Sequence, residues 1–163
     1  MTSAFHPHQL VPFETRHEVG VVALIEECYG GYEQRIELDT LDADLLQITT
    51  VYPPPEHLFQ VLETNDQRVI GTVAIKTDGK GSGELKRVFV APDQRGRGFG
   101  KGMTLWAFDW ARDHGCTELE FWSDVQYETA HGMYQHLGAT KSGETRFLGG
   151  INEVSEYHFR VQL

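Results

Sequence analysis

A chain of 163 residues, 40% hydrophobic and 23% charged, can bury a core without disulfide or metal staples and has the composition of a globular domain. Its net charge of −10 opposes a nucleic-acid partner, whose phosphates would be repelled except at a local basic patch. No apolar stretch approaches the roughly 18 residues of a membrane span, and Met1-Thr-Ser-Ala-Phe-His6 lacks the basic and apolar regions of a secretory signal, so one domain over residues 1–163 and a cytoplasmic location are expected.

In chain order, Val11-Pro-Phe13 suits an edge strand, where Pro12 is tolerated. From Thr15 to about Tyr29, Val21, Leu24 and Cys28 form one stripe and Val22, Ile25 and Tyr29 the next, which predicts a helix stopped by Gly30-Gly31. Leu38 to Ile48 reads as a short second helix rich in early acids, and Thr49 to Pro55 breaks regular structure. His57–Glu63 and Arg68–Lys76 alternate as strands around the Asn65-Asp66 turn, and Glu84–Ala91 follows as the central strand. Phe99, Met103, Trp106 and Trp110 give the next helix a heavy aromatic face. Thr117–Asp124 is a strand that should run parallel to the central one through a right-handed crossover. A helix over Glu128–Leu137, capped by Gly138, and strands over Thr140–Phe147 and Glu156–Val161 complete a mixed sheet with helices on both faces.

The segment Glu84 to Met103 is the most informative. An apolar strand ends at Pro92, and a Gly-Arg-rich turn leads into a helix whose N-terminal end is electropositive. Glycines 96, 98 and 100 let backbone N–H groups approach a ligand, while Arg95, Arg97 and Lys101 add charge, so a phosphate or pyrophosphate fits best. The Walker spacing fails because Arg95 stands where its first glycine belongs and Gly102 where Ser or Thr should follow Lys101. The dinucleotide fingerprint fails too: started at Gly96 it meets Lys101, and started at Gly98 it meets Met103. What remains is Arg95-x-x-Gly98-x-Gly100 after a strand and before a helix.

That arrangement resembles the coenzyme A pyrophosphate loop of the GCN5-related N-acetyltransferase (GNAT) family, and Ala130-His-Gly-Met-Tyr134-Gln-His-Leu-Gly138-Ala139 is similar to the family's second motif. The resemblance is specific from about Glu84 to Ala139. It implies an α/β fold: a central mixed, mostly antiparallel sheet of about seven strands, with a splayed parallel pair and about four flanking helices. It further implies acetyl-CoA as cosubstrate and transfer of the acetyl group to a primary amine by direct attack in a ternary complex. Loop residues Arg95, Gly96, Arg97, Gly98, Phe99, Gly100 and Lys101 would hold the pyrophosphate, and backbone groups of Val88, Phe89 and Val90 the pantetheine arm. One such N–H would face the thioester carbonyl as oxyanion donor.

Tyr134 is the implied acid, since a phenol with pKa about 10 can protonate a departing thiolate and stay neutral at pH 7. Glu84 is the carboxylate implied as base, with His131 in reserve; alternation also puts Glu84 beside Lys86, where an exposed ion pair would serve no chemistry. Tyr127 stands where the family often has Asn, so its backbone or hydroxyl, or Gln126 or Asp124, would make that pantetheine contact. Acceptor contacts are expected from Glu26, Glu27, Tyr29, Tyr32, Glu33 and the Tyr52-Pro-Pro-Pro segment. The acceptor is a small molecule or a peptide. Cys28 and Cys116 lack a paired spacing and the eight histidines are scattered, so neither a disulfide nor a metal is expected. A homodimer is left open. The alternative from another class is a non-catalytic acyl-CoA-binding sensor or interaction module with the same fold, and a nucleotide-hydrolysing enzyme is a distant third.

Overall fold

The computed structural model describes residues 3–163. One seven-stranded sheet runs in the order β1-β2-β3-β4-β5-β7-β6. The strands are β1 (Gln9–Pro12), β2 (His57–Glu63), β3 (Val69–Thr77), β4 (Ser82–Val90), β5 (Glu118–Asp124), β6 (Thr140–Gly149) and β7 (Val154–Gln162). Every neighbouring pair is antiparallel except β4 and β5. The helices are α1 (Glu18–Gly30), α2 (Ile48–Val51), α3 (Phe99–Asp113) and α4 (Glu128–His136). This is the mixed α/β sheet with one parallel pair that the sequence predicts.

β2 and β3 are buried at successive positions rather than alternate ones, because both faces of the sheet are covered. Two glycines allow the close approach. A Cβ on Gly20 of α1 would come within 2.6 Å of Val69, and one on Gly71 of β3 within 2.9 Å of Met103 from α3. The buried stripe of α3 is Phe99, Met103, Ala107, Phe108 and Ala111. Trp106 and Trp110 sit half-buried at its edge, so the aromatic face predicted for this helix is narrower than expected; Trp110 stacks on His114 with ring centroids 3.8 Å apart.

Two regions differ in form from the sequence-based expectation. The first helix starts with a 3-10 turn at Thr15–His17 before α1. The stretch predicted as a second helix over Leu38–Ile48 is a 3-10 turn at Ala43–Leu46 followed by the single turn of α2. The acids there are not helix-start residues: Asp42 and Asp44 turn inward to meet Arg87 of β4.

Candidate active site

Two features of β4 open the sheet. Pairing with β5 is confined to Ser82–Glu84 against Glu118–Glu120, after which the strands diverge. Beyond that point β4 carries a bulge: its register against β3 slips between Thr72 and Ala74, Arg87 takes a φ of +54°, and Thr72 Oγ1 donates to the Arg87 carbonyl at 2.7 Å. A bulge bends its strand and re-aims the residues beyond it. The phase of those residues is fixed by Ala91, whose N–H donates to the Ile70 carbonyl at 2.8 Å, and by Phe89 opposite Thr72. By alternation, Val88 and Val90 point their backbone groups into the gap left by β5. The Val90 carbonyl there already accepts from Cys28 Sγ (3.4 Å) and Arg95 Nε (3.2 Å), which leaves the two N–H groups as donors.

After β4, Pro92–Gln94 form a 3-10 turn and the chain enters α3 through Gly96 (φ +77°) and Gly98 (φ +83°). The first helical bond runs from Gly102 N–H to the Gly98 carbonyl at 2.8 Å. Among the described residues, no backbone N–H from Gly96 to Lys101 donates to a protein acceptor. Such a run of donors at a helix start is a cradle for an anion. Gly96 and Gly98 are required by their left-handed backbone. Gly100 is not, because a Cβ there would meet Val90 and Met133 at ordinary contact distances of 3.6 and 3.7 Å. For the acetyl-CoA that the sequence resemblance implies, Gly98→Ala is therefore expected to weaken binding roughly tenfold, following the about 1–2 kcal/mol cost of left-handed backbone, and Gly100→Ala less than about threefold, measured by calorimetry.

The splay and the cradle enclose a cavity of about 340 Å³, lined among others by Val88, Phe89, Val90, Arg95, Gly96, Gly98, Phe99, Gly100, Lys101, Tyr127 and Tyr134. Every sequence-derived cofactor residue except Arg97 lines it; Arg97 is exposed and lines neither this cavity nor its neighbour. The second cavity, of about 440 Å³, shares Val88, Phe89, Tyr127, Ala130 and Tyr134 with the first and extends to Glu84, Arg87, Asp124 and Arg146. The two therefore meet at the splay.

Tyr134 stands where they meet. Its ring packs on Phe121 (4.6 Å) and Phe159 (6.1 Å), and it is 6% exposed. Among the described residues its hydroxyl has no hydrogen-bond partner, and burial pushes the phenol above its usual range, so it is a neutral donor. Tyr127 is engaged differently: its ring lies against Tyr32 (4.7 Å) and its hydroxyl donates to Gln34 Oε1 (3.1 Å). Gln34 in turn donates to Asp124 Oδ2 at 2.7 Å. His131, the reserve base, lines neither cavity; it is buried against Tyr157 and Phe159 and bonded to Ser123 Oγ at 3.1 Å. Burial pushes the Cys28 thiol up, which keeps it protonated.

The second cavity is walled by a charge network that sequence reasoning missed. Arg87 donates to Asp42 (2.9 Å), to both oxygens of Asp44 (2.5 and 3.1 Å) and to the Tyr29 hydroxyl (3.2 Å), while Tyr29 donates to Asp42 and Tyr52 to Asp44. Burial alone would raise the Asp44 carboxyl, but the hydrogen bonds from Arg87 hold it below its usual range. One signal was available: alternation puts Arg87 on the inward face with Leu85, and an inward arginine needs carboxylates. Glu84 lines this cavity with its carboxylate 3.2 Å from Lys86, at the last residue where β4 still pairs with β5. Of the expected acceptor residues, Tyr29 and Tyr52 line it, Tyr32 lines the first cavity, and Glu26, Glu27 and Glu33 line neither. The β6–β7 turn forms an unexpected part of the wall. Asn152 clasps both backbone groups of Arg35 (2.9 and 2.7 Å), Ile151 N–H donates to Glu37 (3.1 Å), and Leu148 and Leu41 face the cavity. Among the described residues no group of three metal-ligand side chains is placed to hold an ion.

Residues 19–139 match the Acetyltransferase (GNAT) family. "N-acetyltransferase family 8 member 2" of Rattus norvegicus is 31% identical over 134 residues, which are 76% of this chain and 57% of the rat protein. The chain thus spans somewhat over half the length of the first curated relatives it matches. A GNAT-family acetyltransferase from Staphylococcus aureus Mu50 superposes with a TM-score of 0.81 at 15% identity, covering 96% of this chain and 99% of that one. A chain of the NatC complex bound to Gag peptide and CoA superposes with a TM-score of 0.70 at 17% identity, over 96% of this chain and 98% of that one. At these identities the structures show the fold, and the match over most of the sequence shows the lineage: the chain belongs to the GNAT family of acetyltransferases.

Proposed function

We propose that the protein is an acetyl-CoA-dependent N-acetyltransferase that moves an acetyl group to a primary amine by direct attack, with residues 1–163 acting as one catalytic domain in the cytoplasm. The observation that carries this reading is the pair of cavities meeting at the β4–β5 splay, with Tyr134 and the β4 backbone in the wall of both. Arg95, Lys101 and the N–H groups from Gly96 onward would receive the pyrophosphate. The Val88 and Val90 N–H groups would pair with the pantetheine arm as an added strand does and polarise the thioester carbonyl. Tyr134 would give the departing thiolate its proton. The resemblance implies Glu84 as the base, but its carboxylate is paired with Lys86 at 3.2 Å in the part of β4 that still pairs with β5, which leaves the step of amine deprotonation to be assigned.

Cys28, a buried and protonated thiol hydrogen-bonded to Val90, suits a wall better than an acyl carrier, which agrees with a ternary complex. The acceptor arrives through the second cavity, whose about 440 Å³ suits a small amine or the end of a peptide. No helix of the described residues is long and apolar enough to cross a membrane. The test is thiol release from acetyl-CoA with the purified protein against spermidine, 2-phenylethylamine and a short peptide with a free N-terminus. Amine-dependent release above the amine-free rate is expected; tight acetyl-CoA binding with no amine-dependent release would favour the sensor reading.

A further inference from the structure

Among the described residues, Asp124 is the buried carboxylate of the acceptor cavity that has no basic partner. Asp42 and Asp44 share Arg87, Glu84 is paired with Lys86 and Glu156 with Arg146, and Glu37 is only half-buried. Asp124 is 6% exposed and lines the cavity at the C-terminal end of β5. The parallel register ends at Glu84 opposite Glu120, so Asp124, four residues further along β5, lies beyond the point where the strands part, and it lines the acceptor cavity together with Val88 and Phe89. Glu84 lies back in the closed part of the same pair. Asp124 thus shares the wall of the acceptor cavity with Val88, Tyr127 and Tyr134, the residues through which that cavity meets the one lined by Val90.

Its position is fixed without its capacity being used up. Oδ2 accepts from Gln34 Nε2 at 2.7 Å and Oδ1 from the Gln126 backbone N–H at 2.9 Å, and each oxygen keeps a further lone pair. Burying a carboxylate with no cation is costly, and a bound ammonium is the group that would relieve it. The titratable neighbours supply no substitute: Tyr127 follows it on the α4 turn, Tyr134 and His131 lie on α4, and Glu156 opposite it on β7 is already paired to Arg146. Burial lowers the His131 pKa, so that ring stays neutral and brings no charge.

We propose that Asp124 receives the acceptor's ammonium and takes its proton, a role that rests on the acetyltransferase reading above. One N–H bond of the ammonium breaks and an O–H bond forms on Asp124, leaving a neutral amine to attack the thioester. The amine nitrogen then bonds to the thioester carbon, the C–S bond breaks, and the thiolate takes the Tyr134 proton. The tyrosinate regains a proton from the nitrogen as it becomes an amide, and the proton on Asp124 leaves to solvent. The balance is one amide, one free thiol and one released proton.

Asp124→Asn tests this. The exchange is nearly isosteric and its hydrogen bonds can be satisfied: the new amide donates to Gln34 Oε1 once Gln34 turns over and gives its own N–H to the Tyr127 hydroxyl. Acetyl-CoA affinity and melting temperature are therefore expected to hold. For 2-phenylethylamine, an ammonium at pH 7, kcat/KM is expected to fall on the order of 100-fold, within the range of lost general-base catalysis. For trifluoroethylamine, neutral at that pH, the fall should stay below about fivefold. The deficit against 2-phenylethylamine should also shrink as pH rises toward that amine's own pKa. Asp124→Glu, which keeps the charge, is expected to recover part of the loss, a result that a packing role would not give. A loss below about tenfold, an equal loss for both amines, or the ammonium-dependent loss appearing in Glu84→Gln instead would overturn the assignment. A wild-type protein that acetylates none of these amines removes the acetyltransferase reading and this role with it, whereas wild-type turnover with an unaffected Asp124→Asn removes this role alone.

Discussion

Arg87→Met is expected to destabilise the fold by about 3–5 kcal/mol, as removal of one partner from a buried ion pair does. The guanidinium is largely buried, with a side chain 12% exposed, and it faces Asp42 and Asp44, whose side chains are 5% and 17% exposed. Methionine fills much of the space but leaves both carboxylates without a cation. The loss should be largest at neutral pH. In the wild type the Asp44 carboxyl sits below its usual range, so its stabilising contribution is present above the unfolded carboxylate pKa and is lost as pH falls through the depressed folded value. The gap between variant and wild type should therefore narrow as the solution is acidified, which urea unfolding at a series of pH values will show. Adding Asp42→Asn and Asp44→Asn to Arg87→Met should restore part of the stability, because the uncompensated charges disappear. A variant within about 1 kcal/mol of wild type at pH 7 would mean that the network contributes little.

This residue also ties stability to function. Arg87 occupies the bulge, at a positive φ, immediately before Val88, Phe89 and Val90, which line the cavity proposed for the cofactor. Left-handed backbone is disfavoured for a side chain other than glycine, and the carboxylates of the 3-10 turn hold it there. The acid-rich stretch after α1 thus fixes the shape of β4, and loosening it should weaken acetyl-CoA binding as well as the fold.

Legibility in the sequence followed the locality of the signal. The strand, loop and helix from Glu84 to Asp113 were readable because proline, glycines with special backbone needs and helical periodicity all sit within one continuous segment. The α4 motif around Tyr134 was readable for the same reason. Asp42 and Asp44 were misread as helix-start acids because their partner lies more than 40 residues away on another element. The role of Gln34 was equally hidden, since its contact with Asp124 spans 90 residues and nothing in its neighbourhood marks it. The segment between the last two predicted strands carried no local signal of a distant contact, yet it reaches back to Arg35 and Glu37 and forms part of the wall of the second cavity. Short-range pattern marked the residues that line the proposed cofactor cavity; those of the proposed acceptor cavity meet through contacts that only folding creates.

Tyr134→Phe is expected to lower kcat roughly 100-fold while changing acetyl-CoA affinity less than about twofold, the loss of a general acid being worth 10²–10⁴ in rate. The ring makes the packing contacts, on Phe121 and Phe159, and phenylalanine keeps them. The hydroxyl is the atom removed, and among the described residues it supports no other group. A structural tyrosine would show the opposite signature, since deleting a hydroxyl that satisfies a buried partner destabilises the fold. Burial raises this phenol, so ionisation of Tyr134 does not limit the rate from above across the neutral and mildly alkaline range. The leaving group gives a sharper check. If the tyrosine protonates the thiolate, an acetyl thioester of a more acidic thiol needs less help, and the penalty of Tyr134→Phe should shrink for that donor. A penalty that is the same for both donors would point to Tyr134 acting by position and packing, not as the acid.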